Sequence, residues 1–161
     1  MAHTLLVRDG DQLREASDAE VLDHAAALLA QRFRPGAPVL SSPDLTRQYL
    51  RHIGALPYEV FGLLLLDSRR RLIRSEILFR GTIDFAAVYP REVARVVLES
   101  NAAAVIVFHN HASSGIAEPS QADELITRRL KDALSLIDVC VLDHLIIGAG
   151  AEYSFAEAGR L

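Results

Sequence analysis

The sequence predicts an α/β (α+β) sandwich, a mixed central sheet flanked by helices, and three observations point to it. Two stretches, "YEVFGLLLLD" at 58–67 and "AAAVIVFHNH" at 102–111, are nearly continuous apolar runs of strand length, the mark of strands covered on both faces. A third run, "VCVLDHLIIG" at 139–148, has the same character. Helical patterns separate the last two, so after residue 57 the order is strand, strand, helix, strand, helix, strand, which suits a layered arrangement.

Each element has a local warrant. Ser17 followed by Glu20 makes a capping box ahead of "VLDHAAALLAQRF", where Val21, Leu22, Ala25, Leu28, Leu29 and Phe33 recur at helical spacing. Pro35 and Gly36 stop that helix, and "RPGAPVLSSP" reads as a linker. Ser42 then caps a second helix, with Pro43 in its first turn and Leu45, Tyr49, Leu50 and Ile53 along one side; Gly54 and Pro57 end it. "SRRR" is a polar turn between the first buried strand and "LIRSEILFRGT", giving a hairpin. Pro90 opens a third helix, "YPREVARVVLES", with Val93, Val96 and Val97 on one face, and Asn101 closes it. The stretch "SQADELITRRLKDALSLI" is an amphipathic fourth helix. On this reading residues 1–37 are an N-terminal extension with one amphipathic helix, and residues 38–161 form the main domain.

Composition narrows the function. With 161 residues, half of them hydrophobic, the chain can bury roughly two-thirds of its unfolded surface without staples. Its formal net charge of -4 argues against direct nucleic-acid binding by this chain alone. Cys140 is the sole cysteine, which excludes an intramolecular disulfide and a cysteine-rich metal site; in an apolar strand it reads as a buried, inert thiol. No window approaches the ~18 apolar residues of a membrane span, and "MAHTLLVRDGD" is too soon interrupted by charge for a secretory signal. The expectation is a cytoplasmic protein.

The chemistry concentrates in "HNHASSGIAEPSQAD". His109 and His111 are two apart at the end of a strand, so both imidazoles project to one side and Asn110 to the other. Such a pair can offer two nitrogens to one Zn2+, although an isolated pair also suits a polar surface corner. Ser120 stands where a helix N-cap should, with Asp123 three positions on. As a cap this needs no further function. Beside the histidines, however, Asp123 is placed to be a third ligand, and two His plus one Asp leave room for a water, as catalytic zinc sites do. Glu59, opening a buried strand where a carboxylate is costly, is the preferred general base. Glu76 is the rival, or an ordinary exposed strand residue. His144 is either a partner of the histidine pair or a packed strand histidine bonded to backbone. His3, His24 and His52 read as surface, and "SRRRLIR" as a solvated charge cluster rather than a phosphate site.

Taken together, "SSP", "EVFGLLLLDSRRRLI", "EILFRGT", "YPREV", "HNH", "PSQAD", "LDHLIIG" and "YSFAEAG" resemble, in order, the RadC family of JAMM/MPN+ domains over residues 38 to 161. The resemblance implies an MPN/JAMM-like (cytidine-deaminase-like) sandwich. It further implies one zinc held by His109, His111 and Asp123, with Glu59 taking a proton from the bound water and Ser120 hydrogen-bonding the developing oxyanion. The reaction implied is hydrolysis of a peptide or isopeptide bond in an unidentified protein or peptide substrate. Alternatives are a metal-binding or interaction module without turnover, and the DNA-repair association that the family's name suggests. Longer members carry a helical N-terminal region for which residues 1–37 offer no counterpart. Two departures stand out: eight residues separate His111 from Ser120 where the pattern has seven, and Ala112 replaces the usual proline. Either the loop absorbs the extra residue or the helix start moves.

Overall fold

The computed structural model describes residues 6–9, 12–32, 43–81 and 88–161. The chain divides into two compact units, Met1–Arg34 and Pro35–Leu161. Phe33, the linker at 34–42 with Ser42 as a cap, His3, and the side chains of Leu29 and Leu45 lie outside the described residues.

The first unit holds a hairpin, β1 (Leu6–Asp9) and β2 (Gln12–Glu15), and helix α1 (Asp18–Arg32). The capping box is present: the Ser17 amide donates to Glu20 Oε2 at 2.9 Å and the Glu20 amide donates back to Ser17 Oγ at 3.4 Å. Arg14 adds a two-pronged pair to the same carboxylate, at 2.6 and 2.8 Å, which holds the Glu20 carboxyl far below its usual range. Leu22 and Leu28, two of the apolar residues of α1, are half exposed.

The second unit is a five-stranded mixed sheet in the order β4-β3-β5-β6-β7, formed by β3 (Val60–Leu66), β4 (Leu72–Arg80), β5 (Ala104–Asn110), β6 (Cys140–Ile147) and β7 (Glu152–Ser154). β3 pairs antiparallel with β4 and β5; β5 and β6 are parallel, as a crossover through a helix requires. That crossover is α4 (Gln121–Ser135), while α3 (Pro90–Glu99) connects β4 to β5. Alternate residues of the central strands, Phe61, Leu63 and Leu65 with Val105 and Val107, pack beneath Val93, Val96 and Val97 of α3 and Leu130 and Leu134 of α4. The predicted valine face of α3 is therefore the core face. The second predicted helix is shorter than its pattern: α2 (Pro43–Leu50) tightens into a 3-10 segment, Arg51–Ala55, that buries Ile53 and meets β5 and β6.

Two expectations need correction here. Cys140 is exposed, not buried. It is the first residue of β6, and alternation turns it away from the core in which its neighbour Val139 is buried. β7, which closes the sheet against β6, has only three residues, too few for a period-two signal. The "SRRR" turn is a solvated cluster as expected. Asp67 accepts from the backbone amides of Arg69 and Arg71 and from Arg71 Nε, while Arg69 and Arg70 stay exposed. Among the described residues, no helix is long and apolar enough to cross a membrane.

Candidate metal centre

The site forms where β5 ends and α4 begins. Because side chains alternate along β5, His109 falls on the same face as Val105 and Val107, under α4, and His111 follows it. Their Nε2 atoms lie 3.0 Å apart. From the other side, the first turn of α4 brings Asp123: Oδ1 is 3.1 Å from His109 Nε2 and Oδ2 is 3.4 Å from His111 Nε2. Ligand-capable atoms of the three residues all lie within 4.8 Å of one another. A tetrahedral ion with arms of 2.0–2.1 Å holds its donors roughly 3.3 Å apart, and these separations bracket that value. Two imidazoles and a carboxylate at that spacing can hold a divalent metal ion.

The helix cap delivers the carboxylate. Ser120 Oγ accepts from the Asp123 amide at 3.2 Å, and Asp123 Oδ2 accepts from the Ser120 amide at 2.7 Å and from its hydroxyl at 2.6 Å. Capping geometry thus fixes the rotamer that aims Asp123 at the histidines, and the cap and ligand readings of Ser120 and Asp123 are one arrangement. On the strand side, His111 Nδ1 sits 2.8 Å from the Ile116 carbonyl, and His109 Nδ1 sits 2.8 Å from His144 Nε2. His144 Nδ1 in turn meets Thr127 Oγ1 at 2.6 Å.

The electrostatics follow from burial and from Asp123. Burial drives the His109 pKa down, with the hydrogen bond to Asp123 opposing it. His111, half open, is raised chiefly by its bond to Asp123, and Glu59 contributes in the same direction. For Asp123 burial would raise the pKa, but the two histidine bonds outweigh it and keep the group a carboxylate at any working pH. His144 is completely buried, and its pKa falls well below the ordinary value.

His109, His111 and Asp123 line a cleft of about 500 Å³ that also includes Glu59, Phe61, Val88, Ser120, Leu125, Ile126 and Arg129. Its lining combines apolar side chains with titratable groups. A match to the profile of the RadC-like JAB domain extends over residues 40–160, which includes every one of these positions. The chain belongs to that family. The chain is 55% identical over 143 residues to a UPF0758 protein of Vibrio cholerae, an alignment that covers 88% of this chain and 89% of that protein. It is 59% identical over 140 residues to a UPF0758 protein of Shewanella sp. strain ANA-3, and 58% over 136 residues to one of Shewanella amazonensis. Those two alignments cover 84% of this chain but only 62% and 60% of the relatives, so the chain spans less than two-thirds of the Shewanella proteins.

Within the JAB domain, His109, His111, Asp123, Ser120 and Glu59 converge on one cleft. Glu76 does not join them. It lies on β4, paired with Arg74 at 2.8 Å, as an ordinary strand residue. His52 and His24 are exposed, as expected for surface residues. His144 departs from the backbone-bonded reading, because its ring partners are the side chains of His109 and Thr127. Three contributors were not singled out. Thr127 is a polar residue in the buried face of α4, and a Thr on an otherwise apolar stripe was its signal. Asn110 accepts from the Val60 amide at 2.7 Å and donates to the Tyr58 carbonyl at 3.1 Å, gripping the backbone on both sides of Glu59. Asp143 accepts from its neighbour's amide, from Ser154 Oγ at 2.6 Å and from the Ala156 amide at 3.0 Å, and so fastens β7 and the following turn beside His144. A carboxylate inside the apolar run of β6 was its signal.

Proposed function

We propose that this JAB domain is a zinc-dependent hydrolase of JAMM/MPN+ type that cleaves a peptide or isopeptide bond through a metal-activated water. The observation that carries the reading is the convergence of His109 Nε2, His111 Nε2 and the Asp123 carboxylate beside Glu59 in a cleft large enough for an extended peptide. His109, His111 and Asp123 would hold the zinc, whose chemistry is to polarise the scissile carbonyl and lower the pKa of water. Glu59 accepts the proton from the attacking water and returns it to the leaving amine. Ser120 hydrogen-bonds the oxygen on which negative charge develops. Phe61, Val88, Leu125 and Ile126 supply the apolar surface in the cleft on which the substrate seats.

A second reading, a metal-binding module without turnover, is favoured by one observation: the Ser120 hydroxyl proton is committed to Asp123 Oδ2. Metal analysis and peptidase assays separate the two. Wild-type protein should hold about one zinc, following the single ligand set, and His109→Ala and Asp123→Ala should hold almost none. Glu59→Gln should keep the metal and lose hydrolysis of peptide and isopeptide substrates. Equal zinc in all three of wild type, His109→Ala and Asp123→Ala would refute the site, and full activity in Glu59→Gln would refute the base.

A further inference from the structure

We propose that Thr127 and His144 are positioning residues that dictate the tautomer of His109, so that its Nε2 lone pair is presented bare toward His111 and Asp123. The inference rests on the reading of this cluster as a metal site, and goes beyond it by assigning the groups that prepare the ligand.

The order of donors is fixed from one end. The Asp123 main-chain carbonyl can only accept, and Thr127 Oγ1 donates to it at 2.6 Å. A hydroxyl has one proton, so Thr127 has none left for His144, and at 2.6 Å its oxygen must accept from His144 Nδ1–H. His144 is fully buried and has no carboxylate among its ring's hydrogen-bond partners, conditions that keep an imidazole neutral. Its Nε2 is therefore bare and accepts from His109 Nδ1–H at 2.8 Å. With the proton at Nδ1, neutral His109 has its lone pair on Nε2. His111 reaches the same state in one step, since its Nδ1 faces the Ile116 carbonyl, another group that only accepts.

Packing holds the relay in place. The His144 ring stacks on Phe155 with centroids 5.0 Å apart and planes inclined by 14°, while Phe61 meets it edge-on at 5.8 Å. The relay also closes on itself, because it starts at His109 and ends on the backbone of Asp123, one helical turn from Thr127. Ring orientation at one ligand and main-chain position at another are thereby tied together. When His109 and His111 are both neutral, two bare imidazole nitrogens and a carboxylate face one point, an arrangement that suits a divalent cation.

The test uses the whole chain. In metal-free protein labelled with nitrogen-15 at histidine, two-bond proton–nitrogen correlation spectra should show His144 as the Nδ1–H tautomer. Thr127→Val removes the hydroxyl while keeping the shape, and should weaken zinc binding about 10–100-fold in competition with a chromophoric chelator, the range typical for loss of a group that orients a metal-bound histidine. Thr127→Ser should restore it. His144→Gln, whose amide oxygen can accept from His109, should bind zinc more tightly than His144→Leu. An Nε2–H tautomer at His144 in the wild type, or a folded Thr127→Val with wild-type zinc affinity, would overturn the proposal. Failure of wild-type protein to take up zinc would refute the metal reading instead, while the His144 spectrum still decides the relay.

Discussion

Replacing Asn110 by alanine asks whether the residue between the two histidines carries the position of the proposed base. Asn110 is completely buried, on the sheet face opposite the imidazoles, and its amide closes two hydrogen bonds to the backbone on either side of Glu59. Neutral hydrogen bonds contribute about 1 kcal/mol each, and a buried donor or acceptor left unpaired costs about 1–3 kcal/mol, so Asn110→Ala should lose about 3 kcal/mol. For a chain of this size that corresponds to a fall in Tm of about 6–12 °C. Asn110→Asp keeps an acceptor for the Val60 amide but aims its second oxygen at the Tyr58 carbonyl, so it should not recover the loss. Urea unfolding and calorimetry give the stability. Zinc content, read in parallel, should stay at the wild-type level because the ligands face the other way, while any hydrolysis that depends on Glu59 should fall. An unfolding free energy within about 0.5 kcal/mol of wild type, the range of an uninvolved surface change, would refute the reasoning.

Other substitutions probe the cap, the sheet and the turn. Ser120→Ala should cost about 1 kcal/mol through loss of the N-cap, and Ser120→Gly only a few tenths, so stability curves for the pair separate the capping role of the hydroxyl from any effect on hydrolysis. Gly62→Ala would place a Cβ 2.7 Å from the Glu76 carbonyl oxygen and closer still to the Phe108 ring; it should cost about 1–3 kcal/mol, seen as a lowered urea midpoint. The Arg71 amide, together with the Arg71 side chain and the Arg69 amide, lowers the Asp67 pKa below its ordinary value. A depressed folded-state pKa contributes stability above the unfolded value, near 3.9, and loses it as pH falls through the folded one. Asp67→Ala should therefore be less stable than wild type at pH 7, with the gap narrowing below about pH 4; a gap that does not change with pH would remove the charge from the account.

The parts of the fold that could be read from the sequence are those where burial and local chemistry agree. β3 and β5 are buried along their whole length and β6 over its second half, so their apolar runs are long, and α3 starts at Pro90 and α4 directly after its cap Ser120, as their start signals require. The N-terminal hairpin, the 3-10 turn after α2 and β7 escaped because each is too short for a period to repeat. Cys140 shows the same limit at an element's end, where composition marks a strand but does not say which terminal residue lies under cover. His144 and Thr127 escaped for another reason. Their meaning is a contact across 17 residues between a strand and a helix, and no spacing rule in one sequence reports such a contact.

The extra residue between His111 and Ser120 shows why local rules decided the geometry of the site. Loop length fixes only how the chain travels, and here the connection turns directly after the strand. The Gly115 amide donates to the His111 carbonyl at 3.0 Å, Gly115 adopts a φ of 65° that suits its missing side chain, and its carbonyl accepts from the Ala149 amide at 2.9 Å. Gly148 must be bare for this contact, because a Cβ there would strike the Gly115 carbonyl oxygen. The loop is thus folded back on the segment between β6 and β7, and the Ile116 carbonyl still reaches His111 Nδ1. The start of α4 is set independently by Ser120 and Asp123 bonding each other, an arrangement indifferent to how many residues precede it. Strand alternation places two ligands and a capping box aims the third, and neither device depends on the length of the connection between them.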